Sequence, residues 1–141
     1  GLDGQKMSKS YDNTITLRED AASVTQKIRR MPTDPARVRR TDPGDPEKCP
    51  VWQLHLVYSD AKCREWVQQG CRSAGIGCLD CKQPVIDAIL AEQAPMRERA
   101  QTYIDNPARV REIIAEGNAK VGKLARETMR DVRDAMGLGY R

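Results

Sequence analysis

Residues 6–10 read Lys-Met-Ser-Lys-Ser, two cations and two hydroxyls on a mobile stretch that follows Gly4. When the α-phosphorus of a nucleoside triphosphate is attacked and pyrophosphate leaves, negative charge builds on the phosphoryl oxygens. Ammonium groups aimed at that charge stabilise the transition state more than the ground state. The hydroxyls of Ser8 and Ser10 can donate to the same oxygens. Gly4 supplies backbone freedom to the turn before the loop, and a mobile loop can close only when the triphosphate is in place. A bare Lys-x-x-Lys is usually surface decoration; the whole five-residue string is far more specific.

A second chemical set is Cys49, Cys71, Cys78 and Cys81, with 21, six and two residues between them. Thiolates two residues apart on a turn can reach one centre, and the other two can complete a tetrahedral set. The spacing suits either zinc or a cubane iron–sulfur cluster and does not choose between them. Three of these cysteines fall within eleven residues of one Gly-rich stretch, which unpatterned free thiols would not explain. Cys63 is the spare, among helical neighbours that suggest a buried thiol. With no secretion signal, five cysteines do not read as a disulfide scaffold. His55, between Leu54 and Leu56, reads as structural or surface.

The elements that must position these groups are helical. The chain has 141 residues, 39% hydrophobic and 31% charged, without Phe, and a net charge of +4. That is enough for a core covered by amphipathic helices. The charge is compatible with nucleic acid and does not diagnose it. No apolar run approaches the ~20 residues of a membrane span. Residues 1–15 read as loop. A Thr16/Glu19 capping box opens a helix over 17–31, with Ala21, Val24 and Ile28 inward. Residues 32–48 hold four Pro and one Gly and read as an irregular, solvated connection that includes Arg37, Arg39, Arg40 and Lys48. Pro50 starts a helix, and another spans 60–69 with Cys63, Trp66 and Val67 inward. A loop over 70–82 precedes a helix over 84–104, with Val85, Ile86, Ile89, Leu90, Ala94 and Met96 on its apolar side and a kink expected at Pro95. Asn106-Pro107 starts the last run, where Val110, Ile113, Ile114, Val121, Leu124 and Val132 recur at three and four to form an inward face. Gly117-Asn118 is a candidate break, and Gly137 is the closing cap. No segment alternates like a strand. The expected class is all-α: a helical bundle with an N-terminal loop and a cysteine-ligated metal cluster.

Lys-Met-Ser-Lys-Ser is similar to the second consensus motif of class I aminoacyl-tRNA synthetases. The flanks, Gly-Leu-Asp-Gly-Gln before it and Tyr-Asp-Asn-Thr-Ile after it, resemble the bacterial tryptophanyl-tRNA synthetases. So do Gly70 to Cys78, Ala94-Pro95-Met96-Arg97-Glu98-Arg99 and the stretch from Val132 to Leu138. The resemblance runs from end to end. It implies ATP-dependent activation of L-tryptophan with Mg present, release of pyrophosphate, and transfer to tRNA(Trp) in protein biosynthesis. It makes Lys6, Met7, Ser8, Lys9 and Ser10 the ATP-binding residues. Lys9 becomes the main pyrophosphate contact with Lys6 assisting, the catalytic pair, and Met7 lies on the adenine side. It also implies a 4Fe–4S cluster on Cys49, Cys71, Cys78 and Cys81, beside the anticodon site; zinc stays the alternative.

The family's His-x-Gly-His motif, its nucleotide-binding Rossmann domain and its tryptophan pocket are not among these residues. The resemblance therefore implies a C-terminal portion, cut from a longer cytoplasmic protein. Residues 1–16 would be the loop remnant of the catalytic domain, and 17–141 the α-helical anticodon-binding domain. Alone it should not aminoacylate. It should be monomeric, since the family dimerises through the missing part. Anticodon bases are read by stacking and edge hydrogen bonds. The candidates are Arg72, Lys82 and Gln83, with Lys48 and Arg64 for phosphates. Trp52 and Trp66 read as core. The rival readings are a stand-alone metal-stabilised RNA-binding module without catalysis, and an iron–sulfur electron carrier.

Overall fold

The computed structural model describes residues 1–139. It contains five α-helices and two short 3-10 turns (Lys9–Tyr11 and Pro46–Lys48), with no strand among the described residues. The chain divides into two compact units, Gly1–Glu98 and the residues from Arg99 onward.

In the first unit, helix α1 spans Ala21–Arg30. It starts four residues later than the capping box suggested. Glu19 does reach back, Oε2 accepting from Thr16 N at 2.8 Å. However, Glu19 N donates to Thr16 O at 3.1 Å and closes a separate turn. Asp20 then caps the helix, accepting from Ser23 N at 2.8 Å. Val24 and Ile28 are fully buried, whereas Ala21 is exposed.

Helix α2 (Pro50–Tyr58) begins with proline at its first turn and buries Val51, Trp52 and His55. Helix α3 (Ala61–Arg72) is capped by Asp60, which accepts from Cys63 N at 2.8 Å. It buries Val67 but leaves Trp66 42% exposed, so of the two tryptophans only Trp52 is core. The expected loop over 70–82 shrinks to residues 73–77, because helix α4 (Cys78–Ile104) starts at Cys78. Gly77 N donates to Asp80 Oδ2 at 3.2 Å at this start, and Cys81 N donates to Gly77 O at 2.9 Å. Val85, Ile86 and Ile89 of α4 pack with Val24, Ile28, Met31 and Val51 as the core; Ala94 is exposed. Each such aliphatic side chain contributes about 1.5–3 kcal/mol by leaving water.

The connection over 32–48 is irregular, as its prolines require, but it is not a solvated tether. Asp34, Arg37 and Pro46 are buried. Asp34 accepts from Ala36 N at 3.0 Å and from Asp45 N at 2.7 Å. These two backbone donors hold its carboxyl below the usual range.

In the second unit, helix α5 (Pro107–Ala135) is capped by Asn106, accepting from Arg109 N at 3.1 Å. It passes through Gly117-Asn118 without a break. Its end is a Schellman motif: Gly137 at φ +70°, Gly137 N to Asp134 O at 3.1 Å and Leu138 N to Arg133 O at 2.8 Å. The expected inward face is not covered: no α5 residue is buried, and Ile113, Ile114, Val121, Leu124, Met129 and Val132 are exposed.

Candidate nucleotide loop and cysteine site

The Lys-Met-Ser-Lys-Ser segment is organised from behind by Asn13, which is buried. Its Oδ1 accepts from Ser8 N at 2.7 Å, and its Nδ2 donates to Asp3 Oδ1 at 2.8 Å and to Lys6 O at 3.1 Å. Leu2 N donates to Asn13 O at 2.8 Å. The backbone on either side of Met7 is thereby pinned, while Lys6, Met7 and Lys9 are exposed. Gly4 makes the preceding turn at φ +80°, and a Cβ there would crowd Pro50 at 3.1 Å. The sequence suggested a loosely packed loop; one amide side chain makes it a built one.

Ser8 caps the 3-10 turn Lys9–Tyr11, and its Oγ lies 2.7 Å from Ser10 Oγ. Neither Lys6 nor Lys9 forms an ion pair with another described residue. Both ammonium groups are therefore available to an incoming polyanion. The exit of the loop is anchored by Lys27 of α1, whose Nζ donates to Thr14 O at 2.9 Å and lies 2.7 Å from Glu19 Oε1. Gln93 and Arg97 of α4 add bonds to Thr16 O at 3.1 Å and Glu19 O at 3.4 Å.

Cys49, Cys71, Cys78 and Cys81 line one small cavity, together with Thr33, Asp34, Arg37, Val51 and Lys82. Their positions follow from helix ends. Cys49 precedes Pro50 at the start of α2, Cys71 is in the last turn of α3, and Cys78 and Cys81 share the first turn of α4. Burial pushes the Cys71 thiol up, against the pull of the Arg37 guanidinium. Burial, helped by the surrounding thiols, pushes Cys81 up to about 12. Cys63 does not line this cavity. Among the described residues, no three His, Cys, Asp or Glu side chains are grouped closely enough to hold a single metal ion.

His55 is completely buried, with Nδ1 2.8 Å from Ser59 Oγ and Nε2 3.4 Å from Cys81 Sγ. Burial lowers its pKa, keeping the imidazole neutral. Gly44 brings the 32–48 strap onto α3: its N donates to Cys71 O at 3.0 Å, and a Cβ there would stand 2.9 Å from Cys71 Sγ.

Residues 1–92 match the model of the family described as "tRNA synthetases class I (W and Y)". The chain belongs to the W and Y family of class I tRNA synthetases. The match takes in the lysine loop and all four cavity cysteines. Similar proteins include the tryptophan–tRNA ligase of Ralstonia nicotianae, 74% identical over 140 residues, covering 99% of this chain and 35% of that protein. The Thermotoga maritima tryptophan–tRNA ligase is 45% identical over 141 residues, covering 99% of this chain and 43% of its own length. A crystal structure of Campylobacter jejuni tryptophanyl-tRNA synthetase complexed with ADP and tryptophan superposes with a TM-score of 0.82 at 28% identity. It covers 98% of this chain and 43% of that one. The chain thus spans less than half the length of the relatives it matches.

Within this synthetase chain the three candidate RNA contacts separate. Arg72 is exposed and loosely paired with Glu47 at 4.0 Å. Gln83 is exposed and donates to Asp87 at 2.8 Å. Lys82 is only 3% exposed, its Nζ donating to Arg29 O at 2.8 Å and Met31 O at 2.6 Å. Those bonds close the C-terminal carbonyls of α1, so Lys82 is a structural tie rather than a surface contact. Sequence reasoning gave Asn13 no role and placed Arg37 in a solvated connection; His55, read as structural or surface, is a buried structural residue. For Arg37, the run of prolines around it was the available signal, since a chain so stiffened is cheap to fold against a core.

Proposed function

We propose that this chain is the part of a tryptophan–tRNA ligase that brings the Lys-Met-Ser-Lys-Ser loop and the anticodon-binding helices to the reaction. The observation that carries the reading is the loop itself: two exposed, unpaired ammonium groups on a backbone pinned by Asn13, in a synthetase chain 74% identical to a named tryptophan–tRNA ligase. In the full reaction L-tryptophan attacks the α-phosphorus of ATP, with Mg bound, and pyrophosphate leaves; tRNA(Trp) then takes the tryptophanyl group. Lys9 and Lys6 balance the charge that grows on the departing pyrophosphate, a contact worth more in the transition state than before it. Ser8 and Ser10 give hydroxyl donors to the same oxygens, and Met7 faces the adenine side. The Asn13 bonds fix the loop backbone, so only the lysine side chains remain to be ordered. We assign residues 1–16 to the catalytic machinery and 17–141 to anticodon binding. The full-length protein would be a cytoplasmic homodimer joined through its nucleotide-binding part.

Cys49, Cys71, Cys78 and Cys81 are proposed to hold a 4Fe–4S cluster. Four thiols and no carboxylate other than Asp34 around one cavity make a soft donor set suited to iron–sulfur or zinc. The same four thiolates could take a zinc ion; the cluster is proposed on the family resemblance of the cysteine positions. When bound, it would supply cross-linking of the starts of α2 and α4 to the end of α3. Arg72 and Gln83, near these cysteines in sequence, remain the proposed anticodon contacts, with Lys48 and Arg64 meeting phosphates.

The test is charging specificity in a protein of the relatives' length that carries these residues. Tryptophan and not tyrosine should be transferred to tRNA. Charging of tyrosine would overturn the tryptophan assignment, and neither amino acid being charged would leave the RNA-binding module as the better account.

A further inference from the structure

We propose that Arg37 is the charge partner of the group held by the four cysteines and a positioning residue that closes the 32–48 strap over it; this rests on the cluster reading above. Arg37 is 8% exposed although it sits in a connection rich in proline. Its Nη2 donates to Arg40 O at 3.0 Å and Ile76 O at 2.5 Å, fixing the guanidinium between the strap and the turn before α4. Its Nη1 lies 3.9 Å from Cys71 Sγ. Its Nε is buried with no hydrogen-bond partner, the one such side-chain nitrogen or oxygen among the described residues.

A guanidinium buried beside thiols, with one N–H unspent, is costly unless an anion occupies the cavity it lines. The other basic groups at the cavity do not offer this. The ammonium of Lys82 is consumed by the carbonyls of Arg29 and Met31, and His55 does not line the cavity. Four thiolates around iron and sulfide carry net negative charge, and hydrogen bonds to the sulfurs are among the features that set a cluster's potential. Arg37 therefore favours the more negative, reduced form and slows loss of iron.

The experiment loads the chain anaerobically with iron and sulfide and compares it with Arg37→Met, Arg37→Lys and Asp34→Asn. The unaltered chain should take up about four irons. Arg37→Met should lower the midpoint potential by about 59 mV, a tenfold change in the reduced-to-oxidised ratio of a one-electron couple, and release iron several-fold faster. Arg37→Lys keeps the charge without the planar fork and should recover part of the potential. Asp34→Asn removes a negative charge from the same cavity wall while leaving Arg37 in place; it should lower the melting temperature and move the potential the opposite way, upward. A loaded chain whose potential is the same in Arg37→Met, or falls as far in Asp34→Asn, overturns the assignment of Arg37 and leaves the cluster standing. A chain that takes up no iron overturns the cluster reading itself, and this inference with it. If Arg37→Met does not fold, the Nε–H resonance of Arg37 in the unaltered chain decides: it should shift and broaden when the loaded protein is reduced, and an unmoved signal refutes the proposal.

Discussion

Asn13 decides where the two loop lysines begin their reach. Removing its amide strips Ser8 N of its acceptor and Asp3 and Lys6 O of a donor. Asn13→Ala should therefore cost about 1–3 kcal/mol, the usual range for stranding buried polar partners, as read by urea unfolding. It should also weaken ATP use, whereas Lys9→Ala should leave stability unchanged because Lys9 is exposed and unpaired. The exposure of the loop's two lysines was legible from residue type alone. The loop's rigidity was not, because Asn is common in turns of every kind and nothing local says which backbone groups it will reach. The tryptophans make the same point. Trp52 and Trp66 sit on different helices with similar apolar neighbours, and only the structure separates a buried ring at 8% exposure from one at 42%. Iodide should quench Trp66 fluorescence and spare Trp52, which Trp66→Phe would confirm by removing the accessible component.

Among the elements, α1 carries the most consequence for the loop, through Lys27. Burial alone would raise the Glu19 carboxyl, but hydrogen bonds from Lys27, Ser23 and Thr16 outweigh it and hold Glu19 below its ordinary value. The pairing with Glu19 in turn raises Lys27. A depressed folded value means that the contribution of Glu19 is complete above the ordinary glutamate range, about 4.3, and is lost as pH falls through the folded value. The urea midpoint should drop across that acidic window, and Glu19→Gln should flatten part of the drop. Helix existence was readable from caps and periodicity: Asp60, Asn106, Pro50 and Gly137 all act where their types suggest. Boundaries were less so. At the start of α1 two capping arrangements overlap, and the one using Asp20 begins the helix because Glu19 N closes a separate turn onto Thr16 O. At α4 a Gly- and Cys-rich stretch looked like loop, yet Asp80 at the first turn starts a helix that places Cys78 and Cys81 on one face. Ile86, central to the core, should lose 2–5 kcal/mol on substitution by Ala, about the cost of a buried aliphatic cavity.

At the scale of the molecule, the first unit carries both chemical sets, the lysine loop and the cysteine cavity, on the same four helices. The second holds the end of α4 and the long helix α5, whose apolar stripe is exposed. Spacing at three and four correctly grouped Ile113, Val121, Leu124 and Val132 on one side, but periodicity specifies only which residues share a face and is silent about what covers it. Gly117 faces open space, with nothing within 4 Å of the point where a side-chain methyl would stand. Gly117→Ala should therefore raise helix stability by about 1 kcal/mol, seen as a higher melting temperature in circular dichroism. The irregular strap was the other large-scale surprise: its prolines announced the lack of helix, while its burial depended on Asp34 bonding within the strap and on Arg37 reaching Cys71 and Ile76 far along the chain. The most direct test of the whole account is tryptophan-dependent exchange of pyrophosphate into ATP, in a protein of the relatives' length that carries these 141 residues. Lys9→Ala should slow that exchange about 10²–10³-fold, the range for losing one preorganised charge contact, without altering tRNA binding. An exchange rate untouched by the substitution would contradict it.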